Sequence, residues 1–293
     1  MYKRQSFIPI ILFVVIVCDI ALLHYKYYVQ KDNLSSPKVI LKESKHTVTS
    51  NTSLTNNKNK LEFIHISKTG GSAIELEASK KGITWGACHY VQIESNGDAC
   101  QQPDLHDKMK QNRGYNKTKV PFEFKGSFGE PWHTPPHWFN HYPFQNDTTF
   151  AVVRDPYSRA VSQFYCKYKG MKGTKEQMNN ATIMNHWLQD LFNDTIMMKR
   201  AHFLPQHHYI YDMNGIQLVD HVLKLENLNE EFSILMKQYN IDVTLPQESK
   251  FNARNSSSAL AVKNLDSRTI ALMNDVYLED FIRFNYTRMT NEM

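Results

Sequence analysis

The sequence predicts an α/β fold with a mainly parallel sheet. Three short apolar runs, at residues 61–66, 149–154 and 218–225, have the length and composition of buried strands. Segments with apolar residues at helical spacing follow these runs. Strands that alternate with helices usually lie parallel in a layered sheet. Ligands bind such sheets at the carboxyl ends of the strands, so functional residues are expected there.

The first strand-and-helix unit is expected to begin near Leu61. Its strand leads into a helix over residues 72–81, where Gly82 is a natural stop. Residues 122–128 alternate apolar and polar side chains, which predicts another strand. That strand would lead into a loop rich in aromatic residues and proline at residues 129–139.

The second unit contains the clearest helix start in the chain. A buried strand is predicted over residues 149–154. Asp155 is positioned to cap the following helix, with Pro156 in its first turn. We expect this helix to continue to about Lys169.

The remaining elements complete a single domain. An amphipathic helix is predicted over residues 183–192 and a strand over residues 218–225. Residues 227–230 resemble a capping box for a helix that ends near Tyr239. A closing helix is expected over residues 266–281.

The charge distribution gives no evidence for a nucleic-acid partner. The net charge is +5, but residues 1–60 contain nine Lys or Arg and only three Asp or Glu. Residues 61–293 therefore contain 25 basic and 26 acidic residues and are close to neutral. Any basic site must be local, and we expect no nucleic acid as a partner.

The N-terminus predicts a membrane anchor. Residues 7–23 form an almost wholly apolar run, at the short end of membrane-spanning length. Lys3 and Arg4 precede it and favour a cytoplasmic N-terminus. A cleaved signal peptide is the alternative, but no small-residue cleavage site follows the run. We expect a cytoplasmic tail (1–6), a transmembrane signal anchor (7–23), a stem or linker (24–60) and a lumenal domain (61–293). This arrangement is that of a single-pass type II membrane protein.

Features of the later chain are compatible with a lumenal location. Asn-x-Ser/Thr glycosylation sequons all follow the apolar run, at Asn33, Asn51, Asn116, Asn146, Asn180, Asn193, Asn255 and Asn285. Cys88 and Cys100 lie in a polar stretch and are a candidate disulfide in an oxidising compartment, which would leave Cys166 unpaired. No histidine and cysteine spacing is typical of a zinc site, so we expect no metal.

The segment FIHISKTGGSAIE, at residues 63–75, predicts an anion-binding loop. An apolar strand ends in a Gly-Gly turn that opens a helix, which directs backbone N–H groups and the helix dipole toward one point. Lys68 adds a full positive charge, and Ser67, Thr69 and Ser72 add hydroxyl groups. The lysine precedes the glycines, unlike in the nucleotide-triphosphatase loop. The alternative is an ordinary turn in which the glycines only permit positive φ.

Arg154 and Ser162 form a second candidate anion site. Arg154 ends a predicted strand, and Ser162 lies eight residues later, just over two helical turns. A guanidinium and a hydroxyl together suit a phosphate dianion. Alternatively, Arg154 pairs with Asp155 or with a surface carboxylate.

These segments together resemble the membrane-anchored carbohydrate sulfotransferases of the Golgi, including the heparan sulfate 2-O- and chondroitin-type enzymes. HISKTGGS is similar to their 5′-phosphosulfate loop, although Ser67 stands where the group usually has proline. RDPYSRAVSQFY is similar to their 3′-phosphate motif, and His133-Thr134-Pro135 resembles their catalytic-histidine segment. Weaker similarities follow in order at residues 203–206, 222–228, 254–257 and 277–286. Residues 83–120 and 170–200 match no part of the family pattern.

The resemblance implies a P-loop-like, three-layer α/β fold with helices flanking the sheet. It also implies 3′-phosphoadenosine 5′-phosphosulfate as co-substrate, a glycan acceptor, no metal and a Golgi location. Lys68 would act on the bridging oxygen of the leaving phosphate, where negative charge develops. The nucleotide-binding residues would be Ser67, Lys68, Thr69, Gly70, Gly71 and Ser72 at the 5′ end, Arg154 and Ser162 at the 3′-phosphate, and Arg254 near the same nucleotide.

A histidine in the aromatic loop is the candidate general base. His133 is expected to accept the proton of the acceptor hydroxyl, from its place in the motif. His137 is the alternative base or an acceptor contact. Trp132 and Trp138 could stack on a sugar ring, or all four residues could simply be packed in the loop.

Three other functions remain open at this point. A nucleotide-dependent kinase would need an acidic metal-binding motif and the opposite order of lysine and glycines. A non-catalytic glycan-binding protein of the same fold would not need both phosphate sites. A protein-tyrosine sulfotransferase would share the donor site and differ in its acceptor. The sequence does not indicate an oligomeric state.

Overall fold

The computed structural model describes residues 60–85, 133–139, 142, 144, 146–195, 197–246 and 260–290. They belong to one compact unit, residues 57–293. The predicted anchor and the predicted strand at residues 122–128 lie outside the described residues. Within the described ranges, no helix is both long enough and apolar enough to cross a membrane.

The described sheet has three parallel strands. They are β1 (Leu61–Ile64), β2 (Thr148–Val153) and β3 (His221–Lys224), in the order β1-β2-β3. Phe63 of β1 lies opposite Phe150 of β2, which in turn lies opposite His221 of β3. The α/β class and the parallel sheet are therefore confirmed, and β3 is shorter than the expected 218–225.

The two faces of the sheet pack into different cores, because side chains alternate along each strand. Phe63, Phe150 and Val152 point into one core, and Ile64 and Ala151 point into the other. Both faces are covered, which agrees with the mainly apolar sequences of β1 and β2.

Eight α-helices lie in the described residues. They are α1 (Gly71–Ser79), α2 (Pro156–Phe164), α3 (Lys175–Met178), α4 (Ala181–Asn193), α5 (His207–Ile210), α6 (Leu228–Gln238), α7 (Ser267–Val276) and α8 (Leu278–Arg283). Helices α1 and α6 pack on the first face of the sheet, and α5 packs on the second. A third core joins α2, α4, α7 and α8. Cys166 is buried and forms no disulfide.

The start of α2 is as predicted, but its end is not. The Asp155 side chain accepts a hydrogen bond from the Ser158 N–H at 2.8 Å, and Pro156 occupies the first turn. The helix ends at Phe164 rather than near Lys169. The chain turns back there, and the Met171 N–H donates to the Phe164 carbonyl at 2.9 Å.

Two other local predictions are wrong. The Asn227 side chain makes no capping bond to α6, and Glu231 rather than Glu230 reaches back, to accept from the Lys224 N–H at 2.7 Å. The closing helix is two helices, α7 and α8, separated at Tyr277. At the break, Tyr277 has φ −107° and ψ 22°, outside the helical range, and its side chain is buried in the third core.

Gly170 allows the turn after α2, and we predict that Gly170→Ala destabilises the protein. An added Cβ would lie 2.5 Å from the Cys166 nitrogen and 2.5 Å from the Phe164 oxygen, both backbone atoms. Overpacking of this kind costs about 1–3 kcal/mol. The change should appear as a lower urea midpoint at an unchanged m value.

Gly173→Ala is the matched control. Its Cβ would meet the Gln177 and Met171 side chains, which can move aside. Equal midpoints for the two variants would contradict the role of Gly170.

Candidate active site

The loop between β1 and α1 has an unusual backbone. Lys68 and Gly70 have positive φ angles of 69° and 89°. The sequence led us to expect this conformation at the glycines, but not at Lys68. A left-handed conformation at a non-glycine residue costs about 1–3 kcal/mol and needs support from its surroundings. The Thr69 hydroxyl supplies part of that support by donating to the Ile66 carbonyl at 2.8 Å.

Both glycines of the loop lie where a side chain would clash. A Cβ on Gly71 would lie 2.6 Å from Nδ1 of His65, and one on Gly70 would lie 2.8 Å from Cδ1 of Leu225. Gly70 is also the N-cap of α1 and provides no side-chain acceptor for the first N–H groups of the helix. The turn therefore keeps its backbone N–H groups clear of capping side chains.

Ser67 has a buried hydroxyl with no hydrogen-bond partner among the described residues. The residue is 1% exposed. A buried polar group without a partner costs about 1–3 kcal/mol, so such groups often belong to ligand sites. The sequence-predicted role of Ser67 as an anion contact fits this observation.

Arg154 lies against the same loop. Its Nη1 donates to the Lys68 carbonyl at 3.2 Å. Burial lowers the pKa of the guanidinium, and the carboxylates of Glu226 and Asp155 oppose this shift. The two anion sites predicted from the sequence are thus adjacent at one end of the sheet.

Arg159 is a third cationic group of the site, which the sequence did not single out. Its Nε donates to the Ser67 carbonyl at 3.0 Å, and its Nη2 donates to the His202 carbonyl at 3.3 Å. The guanidinium lies 5.9 Å from the ring centre of Tyr277, and the residue is 3% exposed. Arg159 therefore ties the loop to the segment before α5.

Two serines form the less buried side of α2. Of its nine residues, only Ser158 and Ser162 are not buried. They are four residues apart and so lie on one helix face. Ser162 was predicted as a phosphate contact, and Ser158 was not noticed in the sequence.

Gln206 fixes the backbone of Arg154. Its Oε1 accepts from the Arg154 N–H at 2.9 Å, and its Nε2 donates to the Arg154 carbonyl at 2.8 Å. The Asp280 carboxylate, which is fully buried, accepts from the backbone N–H groups of Gln206 and His207, each at 2.8 Å. The Nδ1 of His207 lies 2.9 Å from the same carboxylate.

Glu226 holds the backbone of Asp155, the residue that follows Arg154. Its Oε1 accepts from the Asp155 N–H at 2.8 Å, and its Oε2 accepts from the Tyr286 hydroxyl at 2.9 Å. Burial and the Glu226 charge raise the pKa of Tyr286. The weakly similar segments at 203–206, 222–228 and 277–286 thus supply groups that hold Arg154 and Asp155.

Three histidine rings meet beside the loop. The ring centre of His133 lies 4.8 Å from that of His65 and 4.5 Å from that of His202, both in edge-on arrangements. The His65 Nδ1 lies 2.5 Å from the Glu75 carboxylate. His65, His133 and Glu75 are all 5% exposed or less. The sequence predicted His133 as a functional residue but not the other three.

His202 is held in its neutral form. Burial, followed by the charges of His65, Lys68, Arg159 and Lys169, lowers the pKa of His202 to about 3. Its Nδ1 lies 3.4 Å from Oε1 of Gln163. Burial is the largest cause of this shift, and the nearby cationic groups act in the same direction.

His137 and Trp138 lie in a 3-10 helix, Pro136–Trp138, and both are buried. Trp138 is 1% exposed and packs in the core on the second face of the sheet. This position does not fit the expected stacking on a sugar, because the ring is enclosed by core side chains. Its neighbours include His137 and His208, with ring centres 6.1 and 5.8 Å away.

Several predicted residues lie outside the described ranges, namely Trp132, Arg254, the Cys88 and Cys100 pair, and the sequons at Asn33, Asn51, Asn116 and Asn255. In the described sequons, the glycan-accepting residues Asn146, Asn180, Asn193 and Asn285 are all exposed. The ranges that the structure describes contain no cluster of His, Cys, Asp or Glu suited to a metal ion.

Comparison with known proteins identifies one family. The model of the group described as "Sulfotransferase family" matches residues 51–287, which is most of the chain. No curated protein and no solved structure matches the chain.

The neutral state of His202 has a consequence for acid stability. Its pKa is about 3 in the folded protein against an ordinary value of 6.5, so between these values the unfolded chain binds more protons. The free energy of unfolding should therefore fall as the pH decreases through this window. We expect His202→Gln to weaken this pH dependence in urea titrations at pH 7, 5.5 and 4.5.

His186→Gln is the control, because His186 is exposed on α4. If His202→Gln keeps the wild-type pH dependence, His202 is not the group responsible.

Proposed function

The chain belongs to the sulfotransferase family, and we propose on that premise that it transfers a sulfuryl group from 3′-phosphoadenosine 5′-phosphosulfate to a hydroxyl of a carbohydrate. The observation that carries this proposal is the hydrogen bond from Arg154 to the Lys68 carbonyl, 3.2 Å long. It joins a glycine turn at a helix N-terminus to a half-buried arginine. Both features suit phosphate groups of one nucleotide.

The loop fits the sulfate-bearing end of the nucleotide. Gly70 and Gly71 leave the backbone open to close approach, and Ser67 offers a buried hydroxyl with no partner in the described ranges. We propose that the N–H groups of residues 69–72 bind the 5′-phosphate. Lys68 would neutralise the charge that develops on the leaving phosphate, where a preorganised cation is most effective.

Arg154 and Ser162 are proposed to bind the 3′-phosphate, which distinguishes this donor from ATP. Arg154 directly follows β2, and the Gln206 side chain bonds both its backbone N–H and its backbone carbonyl. The backbone from which the guanidinium extends is therefore fixed. Ser162 lies on the less buried side of α2, which begins just after Arg154. Ser158 shares that side and extends the set of hydroxyl groups. Arg254 is proposed to contact the same nucleotide on the resemblance alone.

His133 is the proposed general base. It lies among rings that border the loop, whereas the described ring contacts of His137 are on the side of Trp138. The donor supplies the sulfuryl group for an in-line displacement. The task of His133 is to take the proton of the acceptor hydroxyl. His137 remains a candidate for an acceptor contact.

We further propose a glycan acceptor and a Golgi membrane location. The support is the apolar run at residues 7–23 with Lys3 and Arg4 before it, and the sequons that follow. The Asn residues of the four described sequons are exposed, as glycosylation requires. In the oxidising lumen, Cys88 and Cys100 would form a disulfide.

Donor binding tests the 3′-phosphate assignment. We expect the wild-type chain to bind adenosine 3′,5′-bisphosphate more tightly than ATP in calorimetry. Arg154→Ala should weaken this binding about 10- to 100-fold, because hydrogen bonds to charged groups are worth about 1.5–3 kcal/mol. Arg154→Lys should recover only part of the loss, since an ammonium lacks the guanidinium fork.

Arg283→Ala is the matched control for donor binding, because Arg283 pairs with Glu279 on the surface of α8. Saturation with ATP, and no heat with the bisphosphate, would refute the proposed donor.

Transfer of labelled sulfate tests the catalytic roles. A panel of desulfated heparan- and chondroitin-type chains serves as acceptor, with tyrosine peptides as the competing class. We expect His133→Ala to lower kcat by about 10²- to 10⁴-fold and Lys68→Ala by about 10²- to 10³-fold.

Lys80→Ala, an exposed change on the turn that follows α1, should leave kcat unchanged. Unchanged turnover in His133→Ala would remove this residue as the base, and labelling of the peptides alone would replace the glycan acceptor with a protein.

A further inference from the structure

We propose that Glu75 and His65 form a positioning pair that fixes the ring of His133 for proton abstraction. This inference rests on the proposed function, because it takes His133 to be the general base. It assigns a purpose to a pair that neither the sequence pattern nor the family match explains. Neither residue is proposed to touch the donor or the acceptor.

The pair is built across two elements and is sealed from solvent. His65 directly follows β1, and Glu75 lies on α1. Their side chains are 4% and 1% exposed, and the Nδ1 to Oε1 distance is 2.5 Å. An ionised Glu75 carboxylate can only accept hydrogen bonds, and in that state the proton of this bond lies on Nδ1 of His65. Glu75 therefore determines both the orientation of the His65 ring and the atom that carries its proton.

The His65 ring is further confined by the glycine turn. A Cβ on Gly71 would lie 2.6 Å from Nδ1 and 2.7 Å from Cε1 of His65. Because Gly71 has no side chain, the His65 ring can occupy this space. The ring also meets the Phe63 ring, at a centre distance of 5.9 Å. With these contacts and the Glu75 bond, His65 has little freedom to rotate.

His65 transmits this constraint to His133. The two rings lie 4.8 Å apart at an angle of 64°, and His202 packs against His133 from a second direction at 4.5 Å and 72°. The backbone is held as well, because the Tyr209 hydroxyl lies 2.5 Å from the His133 carbonyl. A general base must keep its lone pair aimed at one proton, so a ring held from two directions is suited to the task.

The chemistry of the pair argues against simple space filling. A buried carboxylate and imidazole lose the hydration of their polar atoms, and apolar residues of similar volume are often as stable or more stable. Helix α1 uses apolar residues where it contacts the sheet core, at Ile74 and Ala78. Glu75 lies on the same helix and is also buried, but it has a polar side chain that bonds to His65.

The test compares three variants of the full chain. Glu75→Ala removes the acceptor of the His65 proton, and Glu75→Gln restores an oxygen that can accept it. His65→Asn keeps an N–H near the position of Nδ1 but removes the ring that meets His133. Glu77→Gln is the matched control, since Glu77 lies on the same helix and pairs with Lys80 near the surface.

We expect Glu75→Ala and His65→Asn to lower kcat about 10- to 100-fold, less than loss of the base itself. The affinity for adenosine 3′,5′-bisphosphate should stay within about twofold of the wild type, and Glu75→Gln should recover most of the activity. Activity equal to that of the control would overturn the proposal. Weaker nucleotide binding at unchanged kcat would also overturn it, because the pair would then support only the loop.

A second measurement separates this proposal from the proposed function. The imidazole nitrogens of the chain are observed by NMR with ¹⁵N-labelled histidine, and the His133 signals are assigned by their loss in His133→Ala. We expect Glu75→Ala to shift the ¹⁵N signals of the His133 ring, because the His65 ring that contacts it loses its bond to Glu75, and Glu77→Gln to leave these signals as in the wild type. Unchanged His133 signals in Glu75→Ala contradict the positioning pair, whether or not the chain transfers sulfate. A wild type without transfer, but with the expected spectral change, refutes the function and not the pair.

Discussion

Arg159 and Arg154 donate hydrogen bonds to two consecutive carbonyls, those of Ser67 and Lys68. These bonds hold the loop after β1 in a conformation that its own residues do not favour, with Lys68 in the left-handed region. When a carbonyl turns toward an arginine, the neighbouring N–H groups are left to face another direction. The arrangement of the candidate site depends on this contact between the first and the second strand-and-helix units.

The contact also explains why hydrogen-bonding groups that take no part in chemistry surround it. Gln206 holds the backbone of Arg154, and the fully buried Asp280 holds the backbone of Gln206. Glu226 does the same for Asp155. A chain of satisfied hydrogen bonds in a low-dielectric interior is rigid, and a half-satisfied one is costly. Segments distant in sequence therefore converge on the point where the arginine must be fixed.

The sequence predicted the local features of this site well and the long-range ones poorly. Strand β2 and the Asp155 cap follow from residues that are neighbours in the chain, so their pattern is visible in the sequence. Arg159 lies in a helix of ordinary composition, and its partners, Ser67 and His202, are 92 and 43 residues away. No periodicity indicates contacts of that kind. The sequence left two roles open for Trp138, stacking on a sugar or packing in the loop, because composition does not distinguish an aromatic residue in the core from one in a cleft.

The left-handed conformation of Lys68 determines which replacement measures its charge. Alanine bears the same steric penalty at this φ as lysine, because both have a Cβ. Glycine is free of that penalty and would relax the loop while deleting the ammonium group. Of these two residues, only alanine keeps the backbone preference at this position unchanged, so the difference from the natural protein measures what the lysine side chain contributes beyond its Cβ.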